Sequence, residues 1–218
     1  MSTRALDALL SGVALLCLLP VLVGIALVLR CSGEGEIFYR QERVGRGGKP
    51  FGLLKFATML KDSPNLGSGL LTLKDDPRVL PFGRFLRRTK LNELPQLLNV
   101  LLGDMSLIGP RPQALGHFEV FPAHVKAELV KVRPGLSGIG SIVFRDEESL
   151  LSVPGRDPER YYREVIAPYK GELELWFIRR RGLALYLILV ALTIWAVVWP
   201  GGVPYRSIFP DLPEPAPE

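Results

Sequence analysis

Apolar residues fall along this chain in distinct rhythms, each predicting a different element. Residues 8–29 contain no charge at all. A run of that length can cross a bilayer as a helix, which takes about 20 residues. Pro20 stands in its middle, where a proline removes a backbone hydrogen bond and kinks the helix. The kinked run either crosses with a bend or dips in and returns to the same face. Further on, Leu91, Leu94, Leu97, Leu98, Leu101 and Leu102 recur at steps of three and four. That spacing predicts a helix with one apolar face, off which Asn92, Glu93 and Gln96 fall. Residues 161–180 predict another, with Tyr162, Val165, Ile166, Tyr169, Leu173, Trp176 and Phe177 on one side. A second uncharged run, 183–199, is slightly short for a span. It crosses a thin bilayer, lies in the interface or packs on the domain, and Pro200 stops it.

The remaining segments are shorter. Residues 37–40 and 51–56 read as two strands around a turn containing Gly45, Gly47 and Gly48, and Arg43, Arg46 and Lys49 suit such a hairpin to phosphates or lipid head groups. Residues 61–69 read as a loop, and 75–78 and 81–83 as turns. Residues 116–131 predict one short amphipathic helix. Residues 133–141 predict a Gly-rich turn leading into a short strand at 142–144. The proline- and acid-rich end is expected to be disordered. The pattern therefore divides the chain into an apolar membrane segment kinked at Pro20 (1–30), a polar domain (31–182), an apolar membrane-associated helix (183–199) and a tail (200–218). The fold class is α+β, a small, mostly helical domain with short β-hairpins.

Charge changes this picture in two ways. The 218 residues carry 27 Lys+Arg against 22 Asp+Glu, a net +5. That balance suits an anionic partner. A mean hydropathy of +0.22 beside 22% charged residues means that charge and apolar mass are segregated along the chain. Arg4 precedes the first apolar run, and Arg30, Arg40, Arg43, Arg46 and Lys49 follow it. Positive charge on both flanks leaves the positive-inside rule ambiguous for a crossing. A re-entrant hairpin puts both flanks on the cytoplasmic side and removes the conflict. Arg179, Arg180 and Arg181 beside the second run favour the same anionic face. Cys17 and Cys31 make neither a metal site nor a disulfide framework. His117 and His124 read as fillers.

The candidate chemistry sits around the leucine helix. Arg84, Arg87, Arg88 and Lys90 crowd positive charge beside Glu93, and Gly109-Pro110-Arg111-Pro112 is a rigid turn presenting one more arginine. A carboxylate among arginines beside a stiff turn is what metal-dependent phosphate chemistry needs. A solvated helix face followed by a loop has the same spacing. No Walker motif is present, because Lys49 is followed by proline.

Six blocks in register resemble the bacterial sugar transferases of the monotopic polyprenyl-phosphate phosphoglycosyl transferase family. They are Phe38-Tyr39-Arg40-Gln41-Glu42-Arg43-Val44-Gly45, Lys55-Phe56-x-Thr58-Met59, Gly83-Arg84-Phe85-Leu86-Arg87-Arg88-Thr89, the stretch from Glu93-Leu94-Pro95-Gln96 to Gly103-Asp104-Met105-Ser106, Gly109-Pro110-Arg111-Pro112 and Arg133-Pro134-Gly135-Leu136-Ser137-Gly138. The resemblance implies transfer of a phospho-sugar from a UDP-sugar to polyprenyl phosphate, with release of UMP. It implies a re-entrant first helix, an active site on the cytoplasmic face of the bacterial inner membrane, and Mg²⁺ as cofactor. It also implies an Asp-Glu pair whose Asp attacks the sugar-bearing phosphate and whose Glu holds the metal. By position Glu93 is that metal ligand, and Arg87, Arg88 and Arg111 are candidates to clamp phosphates. The expected partners are a UDP-sugar, polyprenyl phosphate and membrane lipids, with room for a homodimer. No nucleic-acid partner is expected, because the positive charge lies beside apolar segments and no nucleic-acid module is present.

Three departures stand out. The Asp position of the dyad is Asn92, and a neutral amide cannot be a carboxylate nucleophile. Either a deliberate Asp→Asn change blocks turnover, or a natural branch uses Glu93 or a direct transfer, or the chain is a non-catalytic membrane-bound nucleotide-sugar or lipid-phosphate binding protein. The intact remainder of the motif favours the natural branch. Leu19 precedes Pro20 where relatives often have Ser, and Ala57 replaces an arginine common in the Lys-Phe-Arg stretch.

Overall fold

The computed structural model of the chain describes residues 3–66, 75–155, 157–199 and 202–215. Residues 67–69 of the expected loop, Pro200 and the last three residues of the tail lie outside these. Helix α1 (Thr3–Arg30) is one continuous element of 28 residues running through Pro20. It is long and apolar enough to cross a membrane by length and composition. Strands β1 (Phe38–Val44) and β2 (Pro50–Phe56) then form the expected antiparallel hairpin, with Phe38 opposite Phe56. Gly47 and Gly48 turn it at φ of 74° and 72°, backbone that favours glycine. Helix α2 (Pro81–Arg88) follows. The turn expected at 81–83 is its first turn, since a proline at N1 loses no helical hydrogen bond.

The leucine stretch is not one helix. It is a 3₁₀ turn over Leu91–Glu93 and a separate helix α3 (Gln96–Leu102). Pro95 has no N–H to continue a helix through it, so the chain restarts there. Gly103, at φ 101°, ends α3. Its polarity is also partly the reverse of the expected one, since of its four leucines only Leu97 is buried. Gln96 and Asn99 are buried, whereas Leu98, Leu101 and Leu102 are 39%, 36% and 77% exposed. Asn99 explains the inversion: its Oδ1 accepts from Leu54 N at 3.0 Å and its Nδ2 donates to Gly52 O at 2.9 Å. The amide thus satisfies backbone groups of β2 that burial would otherwise leave unpaired.

Strand β3 (Ser106–Ile108), helices α4 (Leu115–Val120) and α5 (Ala123–Leu129), and strand β4 (Gly135–Ser137) come next. The one helix expected over 116–131 is divided by Phe121 and Pro122. The two strands pair in parallel, Ser106 opposite Gly135 and Ile108 opposite Ser137, so the second sheet is not a hairpin. A Cβ on Gly135 would lie 2.2 Å from Gly109 N, so only glycine permits this approach. Helices α6 (Ile139–Val143), α7 (Glu147–Leu151) and α8 (Pro158–Tyr161) follow. The strand expected at 142–144 is therefore helical, and the extended piece lies earlier, at β4. A π turn over Tyr162–Ile166 joins α8 to α9 (Ala167–Arg180), giving the expected helix. Last come α10 (Leu183–Val198) and α11 (Tyr205–Ile208).

The main core joins Leu173, Trp176 and Phe177 of α9 to Ile108, Ile139 and Ile142, and also to Tyr186, Leu189 and Leu192 of α10. The core therefore continues past residue 182. The segment after α10 joins this core where it is described. Phe209 and Leu212 are buried in the same core, and Trp176 Nε1 donates to Asp211 at 3.0 Å. Two apolar side chains and one well-placed carboxylate anchor a segment whose composition alone suggests disorder.

Both ends of α1 are tied to this body. Arg4 donates to Val100 O and Leu101 O at the C-terminal end of α3, at 2.5 and 2.6 Å. Asp7 Oδ1 is buried and accepts from Ser106 Oγ, Leu107 N and Tyr186 Oη at 3.0, 2.9 and 2.8 Å. At the other end Ile25 and Leu29 pack on Phe56 and Leu86. Asp7→Ala strands three buried donors, each costing about 1–3 kcal/mol. We expect it to lower the melting temperature in detergent clearly more than Asp7→Asn, which keeps the acceptor oxygen. Equal melting of the two variants would show that Asp7 is not the tie.

Candidate active site

Lys90 takes a left-handed conformation, φ 60°, immediately before the 3₁₀ turn. That is uncommon for a side chain with a Cβ and directs the next residues into a cavity rather than onward along a helix. The cavity measures about 1740 Å³. All five residues singled out from sequence line it: Asn92, Glu93, Arg87, Arg88 and Arg111. They come from three separate stretches of chain.

Glu93 and Arg111 form its central ion pair, with Nη2 to Oε1 at 2.7 Å and Nη1 to Oε2 at 3.5 Å. Two features place Arg111. The glycine contact between β3 and β4 sets the turn that follows β3, and Arg111 N donates to Glu174 Oε1 at 3.3 Å. A Cβ on Gly140 would lie 2.4 Å from that same oxygen, so the carboxylate fits only against glycine. Arg87 pairs with Glu148 and reaches Met59 Sδ at 3.8 Å, so it is held by a partner on α7. Arg88 is exposed at the rim.

Sequence reasoning takes Arg43, Arg46 and Lys49 together as hairpin charges that suit phosphates or head groups, and gives Lys55 and Lys170 no role. Lys55 and Arg43 stand on the facing strands of the hairpin and line the cavity. The charges on its turn, Arg46 and Lys49, do not line it, so the strands rather than the Gly-rich turn supply the charge. Alternation along β1 carries the signal: Arg43 shares a face with Gln41, whose Oε1 accepts from it at 2.6 Å. Lys170 pairs with Glu147 at 2.6 Å and lies against the rings of Phe144 and Tyr162. His117, read as a filler, lines the cavity with its ring centroid 4.7 Å from that of Tyr162. His124 is exposed beside Glu172.

The electrostatics follow from this crowding. Burial alone would push the Glu93 carboxyl up, but Arg111 and Lys55 overcome it and hold the group down to about 2. Burial lowers Lys55 to about 7, with Glu93 opposing and the neighbouring arginines adding to the fall. Burial and Arg111 lower Arg43 to about 10. Burial raises Glu174 to about 7. The lining also holds polar atoms without a hydrogen-bond partner: Arg43 Nε, Asn92 Oδ1, Ser141 Oγ and Tyr162 Oη. Buried polar groups are normally paired, so this wall is matched to a polar ligand. Among the described residues, twelve Lys and Arg side chains line the cavity against seven Asp and Glu. That excess of cations selects an anion, and guanidinium forks match phosphate oxygens.

A family model for bacterial sugar transferases matches residues 1–200 of this chain. The chain is 43% identical over 141 residues to UDP-glucose:undecaprenyl-phosphate glucose-1-phosphate transferase of Escherichia coli (strain K12), covering 64% of this chain and 30% of that protein. It is 34% identical over 194 residues to the protein of the same name from Klebsiella pneumoniae, covering 88% and 39%. It is 36% identical over 162 residues to exopolysaccharide production protein ExoY of Sinorhizobium fredii (strain NBRC 101917 / NGR234), covering 68% and 71%. The chain thus spans less than half the length of the two larger relatives.

The Lys55 value carries a direct expectation. The Glu93 carboxylate favours the ammonium, so Glu93→Gln removes that support and Lys55 then titrates below about 7. Amine-modification rates against pH, read by peptide mass spectrometry, would show the titration move down. A move upward would mean that Lys55 does not feel Glu93.

Proposed function

The chain belongs to the bacterial sugar transferase family, and on that footing we propose that it is a phosphoglycosyl transferase. It moves a sugar 1-phosphate from a UDP-sugar to polyprenyl phosphate, releases UMP and starts a glycan on a lipid carrier. The observation that carries this reading is the Glu93–Arg111 pair inside a cavity whose other charges are mostly cations. Arg111, Arg43 and Lys55 bind diphosphate oxygens and stabilise the negative charge that builds on the sugar-bearing phosphorus. Arg87 and Arg88 extend the same field toward the rim.

Asn92 bears on the route. Its amide is not a nucleophile, and Glu93 is a weakly basic carboxylate engaged by Arg111. This supports direct displacement. A phosphate oxygen of the acceptor attacks the sugar-bearing phosphorus. The bond from that phosphorus to the bridging oxygen breaks, and UMP leaves with the electron pair. The product is a polyprenyl diphospho-sugar.

Mg²⁺ belongs to the proposal. Among the described residues no group of three His, Cys, Asp or Glu side chains could hold a metal. Asn92 Oδ1 is buried without a partner, however, and Glu93 follows it in the chain. Two oxygen donors fit a cation that usually keeps few protein ligands and completes its shell with phosphate and water. When bound there, Mg²⁺ would neutralise diphosphate charge. Glu93 and Asn92 are the residues that would hold it.

The site faces the cytoplasm at the bacterial inner membrane, with α1 re-entrant. Ties at both ends of α1 to one body support this, because a helix crossing the bilayer puts its ends on opposite sides. The outward leucines of α3 and the exposed apolar residues of α1 and α10 form the lipid-facing surface.

The first test is UMP release in nanodiscs with Mg²⁺, polyprenyl phosphate and a panel of UDP-sugars. We expect release by the chain as it stands and its loss in Glu93→Ala, with membrane association unchanged. Retained turnover in Glu93→Ala would remove Glu93 from the mechanism. Asn92 motivates a second reading, a non-catalytic binder. Saturable UDP-sugar binding with no UMP release, and no rescue by Asn92→Asp, would establish it over the first. For topology, a cysteine at position 2, in a chain with Cys17 and Cys31 replaced, should react only from the cytoplasmic side. Labelling only from outside would exclude the hairpin.

A further inference from the structure

The cavity has two unlike parts. Its cations come from β1, β2, α2, α9 and the segments between elements. None of the lining residues drawn from β4, α6, α10 or residues 202–205 is charged. Leu136, Ile142, Ala196, Val197, Val203 and Tyr205 line this second part. The hydrogen bond from Thr193 Oγ1 to Ser137 Oγ, 2.8 Å, joins α10 to the end of β4 and satisfies both hydroxyls within the wall. The whole volume, about 1740 Å³, exceeds the roughly 300–1,000 Å³ usual for one small ligand. Two ligands, one of them apolar, fit this division better than one.

Helix α10 also links the cavity to the outside. One stripe of it turns inward at Tyr186, Leu189 and Ala196, while Leu187, Ile194 and Val198 are exposed along the opposite side. Val197 lines the cavity and is 57% exposed. The apolar part therefore opens onto the apolar outer surface of α10.

We propose that this part is the acceptor's channel: the isoprene units next to the lipid phosphate lie between α6 and α10, and the chain leaves toward the bilayer past Val197. The inference rests on the transferase reading and adds the path of the second substrate. Continuity supplies the argument. An uncharged groove with a cationic end and an apolar exit matches an unsaturated hydrocarbon carrying one terminal phosphate, and nothing in the groove would recognise a nucleotide sugar. The substrates then meet at the boundary near Asn92 and Arg111, with the donor on the cationic side.

The test uses the full chain in nanodiscs with a farnesyl phosphate analogue bearing a diazirine at its far end. We expect labelling of residues 193–205 that unlabelled polyprenyl phosphate competes away. Val197→Trp, at an exposed position that tolerates bulk, should raise KM for polyprenyl phosphate about tenfold, the low end for displacing an apolar group from a pocket. Val203→Trp should act in the same direction, and KM for the UDP-sugar should stay unchanged in both. Competed labelling at Phe38 or Phe85, exposed rings of the lining on β1 and α2, would overturn the channel and leave the transferase reading intact. An unchanged acceptor KM in both variants would also overturn it. Absence of competed labelling anywhere would overturn the channel together with the claim that the chain binds such a lipid.

Discussion

The ion pair between Glu93 and Arg111 sets the electrostatics of the cavity. Burial by itself would favour a neutral carboxylic acid at Glu93, and Arg111 with Lys55 keeps it ionised. The same crowding acts on the cations in reverse. Lys55 and Arg43 are both pulled down, because burial and neighbouring guanidinium groups oppose their charge. A wall in which cations repel one another and polar atoms lack partners gains most when a polyanion enters. An anion entering there relieves that repulsion, so the resting charges of the site favour its binding.

Placement of that pair depends on backbone rather than on long side chains. Glu93 reaches the cavity from a short 3₁₀ turn between a left-handed lysine and a proline. Arg111 reaches it from the turn after β3, where glycines allow β3 and β4 to approach within a distance no side chain could share. Glu174, buried beneath Gly140, holds the Arg111 backbone. Such support limits motion of the reacting groups, and misplacement of catalytic groups by about 1 Å can cost on the order of a hundredfold in rate.

The inverted polarity of α3 connects this site to the membrane. Asn99 faces inward to serve the backbone of β2, so Leu98, Leu101 and Leu102 of the same helix face outward. Arg4 and Asp7 of α1 fasten to α3, β3 and α10. One short helix thus holds the β2 backbone with its polar side and presents an apolar surface with the other.

Much of this was legible in the residues alone. The uncharged runs at both ends, the hairpin, the long amphipathic helix and the grouping of Glu93 with Arg87, Arg88 and Arg111 all follow from local patterns of charge and apolarity. Those patterns depend on side-chain type and spacing, which are written in the sequence directly. What only the tertiary structure decided was direction and partnership. Leucine periodicity marked an apolar stripe yet could not say that it would face out, because the partner of Asn99 lies on a strand over 40 residues away. The parallel pairing of β3 with β4, the inward turn of Lys55 and Arg43, and the anchoring of Phe209 and Leu212 likewise rest on contacts between distant segments. Local spacing cannot encode such contacts, since each is selected by the burial and hydrogen bonding available only once the other segment is in place.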